Sequence, residues 1–81
     1  MSNERLMLKG VLAEKKELRN TLLLDLGMLR DSIRERLSPI VETLDVDVDQ
    51  LRVLWQRYIE RHAELRAAQE TIDKLEAELY G

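Results

Sequence analysis

The sequence predicts an all-α protein: a long antiparallel helical hairpin, coiled-coil-like, whose leucine-rich seams bring two copies together as a four-helix bundle. Three observations predict it. Leu, Glu, Arg and Ala dominate a chain of 81 residues with a single proline and no phenylalanine. Apolar residues recur every seven positions through the C-terminal half. Charged residues reach 36% beside 44% hydrophobic ones, the balance of long helices with one wet face rather than of a solvated tail. At this length the chain is one helical domain spanning 1–81.

The first helix is expected over about 4–37. Leu8, Val11, Leu18, Leu22, Leu29, Ile33, Leu37, Ile40 and Leu44 follow spacings of three, four or seven, with Lys15 where an apolar residue would be expected. The steps from Leu29 through Ile33 and Leu37 to Ile40 suggest an eleven-residue stutter, which unwinds a left-handed supercoil locally. Gly10 and Gly27 each cost about 1 kcal/mol relative to Ala inside a helix, so a break at Gly27 is one reading. Within this helix, Leu22, Leu23, Leu24, Leu26, Met28 and Leu29 crowd more apolar residues into eight positions than one partner helix can cover.

Ser38-Pro39 places a capping residue before a proline suited to the first position of a helix. A short or kinked helix over about 39–44 follows from it, with the turn at Asp45 to Asp47. So short a connection folds two long helices back antiparallel.

The second helix, about 48–79, has the clearest pattern. Leu51, Tyr58, Leu65, Ile72 and Leu79 recur at sevens, and Leu54, Arg61, Ala68 and Leu75 form a second row three residues on. Arg61 is the polar interruption, and Trp55 and Ile59 widen the apolar face beside Tyr58. Asp47 and Gln50 fit a capping box, Val46 and Leu51 a hydrophobic staple, and Asp49 the positive end of the helix dipole.

The composition excludes much. Cysteine is absent, so nothing points to a disulfide framework or thiol chemistry. His62 stands alone: Tyr58, Ile59, Leu65 and Arg66 occupy the positions three and four residues away, where a second metal ligand would have to be. It reads as a seam-edge residue with its ring against the other helix. Asp45, Asp47 and Asp49 invite a calcium reading, but a loop starting at Asp45 carries Gln50 and Gln56 where glycine and glutamate are required. We therefore expect no catalytic residues, metal or cofactor, and no enzyme. The apolar run at Leu22–Leu29 is too short for a membrane span and is broken by Asp25, so a cytoplasmic location is expected.

The net charge of −3 divides unevenly. Residues 1–40 carry eight Lys/Arg against six Asp/Glu, and 41–81 carry five against ten. Oppositely biased halves suit each other, and nucleic acid is not the expected partner, because phosphate binding needs concentrated Lys and Arg.

The function expected is a non-enzymatic helical interaction and assembly module, a homo-oligomer with the dimer favoured. Its self-interface would draw on Leu22, Leu23, Leu26, Leu29 and Ile33 of the first helix and Leu51, Trp55, Tyr58, Leu65 and Ile72 of the second. The alternative is a small regulator docking on a larger nucleic-acid machine through its acidic second helix and turn, with Asp45, Asp47 and Asp49 as contacts. A hairpin with carboxylates at its tip resembles, in outline, the coiled-coil finger of Gre-type transcript-cleavage factors. Those insert the tip into the polymerase secondary channel to hold a magnesium ion. The resemblance covers shape and charge, not a sequence motif.

Overall fold

The computed structural model describes residues 2–81. Two helices account for nearly all of it: α1, Ser2–Arg36, and α2, Val48–Tyr80, with a short 3-10 turn at Thr43–Asp45 between them. They lie antiparallel as a hairpin, and among the described residues there is no strand. The hairpin extends 63 × 17 × 16 Å. Its radius of gyration is 18.2 Å, where a compact domain of this length would have about 12 Å. The accessible surface of 6587 Å² likewise exceeds the roughly 5,000 Å² of a compact protein of this mass.

α1 runs unbroken through Gly10 and Gly27. Its tertiary seam is Leu8, Leu12, Lys15, Arg19, Leu22, Leu26, Leu29 and Ile33, in strictly alternating steps of four and three, and all of these are buried or half-buried. This corrects the expected row: Val11 and Leu18 lie off the seam, and Leu12 lies on it. Val11 and Leu18 are exposed, whereas Leu12 joins Ile72, Leu75 and Leu79 in the core cluster, with Leu8 packed against it. Lys15 does occupy a seam position, and Arg19 occupies a second. Both are half-buried, as when a long basic side chain covers apolar surface with its stem and keeps its charge in water.

The expected stutter at Leu29–Ile40 and the short helix over 39–44 are absent. α1 ends at Arg36, because Pro39 has no N–H to donate and disfavours helical geometry at Ser38. One turn follows, in which the Val41 N–H donates to the Ser38 carbonyl at 3.0 Å, and Glu42 then turns extended at φ −62°, ψ 145°. Helix nucleation costs more than it returns over so few residues unless burial compensates. Here Ile40 and Leu44 are 91% and 98% exposed, so burial does not.

α2 keeps the seven-residue pattern throughout. Leu54, Ala68, Ile72, Leu75 and Leu79 are buried, while Leu51, Tyr58 and Leu65 are half-buried. Its start is capped by Asp47, whose carboxylate accepts the Gln50 N–H at 3.0 Å, and Val46 and Leu51 on either side are half-buried. At the other end the Arg5 guanidinium donates to the Leu79 carbonyl at 2.8 Å, so α1 satisfies one of the acceptors that a helix C-terminus leaves free. A cluster of buried residues thus packs at the end remote from the turn, and Leu22, Leu26 and Leu54 are buried nearer to it.

Candidate functional site

A two-helix layer has no interior beyond its seam, so any function rests on its two broad faces and its turn. The helical register sorts the residues. One face carries the flanks joined by the ion pair of Lys16 with Glu76, 3.6 Å apart. The other carries the flanks joined by Asp25 with Arg61, at 4.0 Å, where Arg61 also meets Glu64 at 3.3 Å. These pairs are largely exposed, so each contributes at most about 1 kcal/mol, but they show which side chains share a face.

The faces differ in charge. The first holds Lys9, Lys16, Arg30 and Arg34 from α1 and Arg52 and Arg66 from α2, opposed by Asp73 and Glu76, a balance of six against two. The second holds Glu4, Glu14, Asp25 and Glu35 from α1 and Glu60, Glu64 and Glu78 from α2, opposed by Lys15, Arg57, Arg61 and Lys74, seven against four. We refer to them as the basic and acidic faces.

Each face also has exposed apolar residues. On the basic face Leu6 and Tyr80, each 63% exposed, lie toward the chain ends, and nearer the turn Leu23 is 51% exposed, Trp55 56% and Ile59 45%. Leu23, Leu26, Gly27, Tyr58, His62 and Leu65 line one shallow depression there, with Arg30 at its rim. The Trp55 and Tyr58 rings stack at 5.6 Å with their planes 4° apart, and His62 continues the stack at 6.1 Å and 22°. His62 thus lies beside Leu23 and Leu26 of α1 at the edge of the seam and also against an aromatic of its own helix. On the acidic face exposed Met7, Val11 and Leu18 lie toward the chain ends, and Met28 and Val53 toward the turn. Lys15, Leu18, Ala67, Ala68 and Thr71 border a depression on this side.

The residues expected at a self-interface divide accordingly. Leu22, Leu26 and Ile72 are buried within the hairpin, and Leu29, Ile33, Leu51, Tyr58 and Leu65 are half-buried along its seam. Leu23 and Trp55 face outward. The sequence reading did not anticipate the charge division between faces, which needs the register of both helices. It also did not single out Val11 and Leu18 as surface residues, although their three-and-four spacing competes directly with the true seam.

At the turn, Asp45 and Asp49 are exposed, and Asp47 is engaged as the cap of α2. Among the described residues no three His, Cys, Asp or Glu side chains converge in a way that could hold a metal ion. No described helix is long and apolar enough to cross a membrane. Comparison with protein families, with curated proteins and with solved structures finds no match.

Proposed function

We propose that this chain is a non-enzymatic assembly module whose hairpins associate with further copies of themselves, two hairpins meeting broad face to broad face as a four-helix bundle. The observation that carries this reading is the outward apolar surface on both faces, above all Leu23, Trp55 and Ile59. Burying apolar surface is favourable by about 25 cal/mol per Å². A two-helix layer cannot do so for its own outer faces, and a second layer can. A broad face of 63 by 17 Å offers on the order of 1,000 Å², against about 800 Å² per partner in an ordinary specific interface.

The test is the solution mass across a concentration series, for the native chain and for Leu23→Glu with Ile59→Glu. The reading expects a native multiple of the 9.5 kDa chain and a variant that remains helical but becomes monomeric. A native chain that stays monomeric and well folded at all concentrations would reject it.

A second reading has one observation of its own. Ile40 and Leu44 stand almost fully exposed beside Glu42 and Asp45 at the turn. Docking of this tip on a larger nucleic-acid machine would use those side chains. Replacing Asp45 and Asp49 by Ser would then abolish capture of the partner while leaving the mass and helicity of the chain unchanged.

A further inference from the structure

We infer that the two faces meeting between copies are unlike, the basic face of one hairpin seating on the acidic face of the next. This rests on the self-association proposed above and specifies its geometry.

A two-fold contact places a face on itself. On the basic face that would bring together two surfaces of six cations against two anions, and on the acidic face two surfaces of seven anions against four cations. Like charges brought together in a partly dry interface repel over distances well inside the screening length of about 8 Å. Basic on acidic attracts instead, and steers encounter as well.

Exposed apolar side chains on the two faces, Leu23, Trp55 and Ile59 on the basic one and Met7, Val11, Leu18 and Met28 on the acidic one, become buried in such a contact. Gly27 borders the basic-face patch, and a Cβ there would meet nothing within its own chain. The backbone at that point is accordingly open to a neighbouring helix.

Such a contact is heterologous: a pair retains one unused acidic face on the first copy and one unused basic face on the second. Assembly therefore continues beyond the pair, as a ring if successive rotations close and as a filament if they do not.

The experiment uses two charge-reversed full-length chains, Arg30→Glu with Arg52→Glu on the basic face and Glu14→Lys with Glu78→Lys on the acidic face. All four positions are exposed. Arg52 lies near the start of α2 and Glu78 in its last turn, so both reversals there agree with the helix dipole. Circular dichroism establishes that each variant is folded, and sedimentation reads its mass. The expected result is that each variant alone falls to the 9.5 kDa single chain, and that an equimolar mixture recovers the native mass, because reversed basic meets reversed acidic. The native assembly is also expected to dissociate as salt is raised. If either variant alone assembles as the native chain does, the contact is between like faces and the inference is overturned. The same holds if native assembly tightens with salt. A native chain that is itself monomeric removes the self-association reading, an outcome distinguishable from both.

Discussion

Ile72 and Ile59 offer one substitution at two positions of one helix. Ile72 is fully buried, at 0% exposure, in the cluster with Leu12, Leu75 and Leu79, whereas Ile59 is 45% exposed on the basic face. Shortening a buried Ile to Ala removes three carbons, a transfer loss of about 2 kcal/mol, and the cavity left behind can raise the total to about 5 kcal/mol. The cluster here lies in a layer only two helices thick, open on both faces, so side chains can relax into the gap and the cavity contribution is small. We expect Ile72→Ala to cost about 2–3 kcal/mol, near the lower end of that range. For a domain of this size that is roughly 8–20 °C in Tm, read by circular dichroism. Ile59→Ala in an isolated hairpin should cost under about 0.5 kcal/mol, because Ala favours helix. In an assembly its cost should grow with protein concentration, since binding stabilises the folded state by mass action. Melting both variants over a wide concentration range separates these contributions. Equal, concentration-independent shifts for the two would refute the reasoning, as would an Ile72→Ala chain that melts with the native one.

Three further outcomes follow from particular residues. Gly10→Ala is expected to stabilise α1 by about 1 kcal/mol in urea unfolding, since the added methyl meets nothing within 4 Å; a loss of stability would contradict that open geometry. Asp47→Ala should cost about 1 kcal/mol through loss of the cap to Gln50, and hydrogen exchange should accelerate over the first turn of α2 before the rest. Arg61→Leu is expected to raise stability by about 1 kcal/mol, because exposed ion pairs with Asp25 and Glu64 contribute little while a leucine completes the α2 seam. A destabilised Arg61→Leu chain would give those pairs more weight than their exposure allows.

α2 was legible from sequence because its apolar residues have one phase: Leu51, Leu54, Tyr58, Leu65, Ala68, Ile72, Leu75 and Leu79 leave Arg61 as the one polar residue in the row. The cap at Asp47 was legible for the same kind of reason, a local pattern with a local bond. α1 has two competing phases. Lys15 and Arg19 sit on its seam while Val11, Leu18, Leu24 and Met28 sit off it, so apolar spacing alone favours Val11 and Leu18 over Leu12. The choice is made by the partner, because only the phase through Leu8, Leu12, Leu22, Leu26 and Leu29 matches the α2 seam. The segment after Arg36 misleads likewise. Leu37, Ile40 and Leu44 continue an apolar rhythm, but they lie past the end of α1 and remain exposed. The two faces were illegible for a deeper reason: charge on a face is a property of two registers at once, and neither helix alone displays it.

The tight cluster of Leu8, Leu12, Ile72, Leu75 and Leu79 sits at the end away from the turn, and this has a mechanical consequence. A pull applied at Arg5 and Leu79 loads this cluster first, together with the bond between those two residues. Leu22, Leu26 and Leu54 are buried as deeply nearer the turn, so the hairpin resists tension along its length rather than at one clasp.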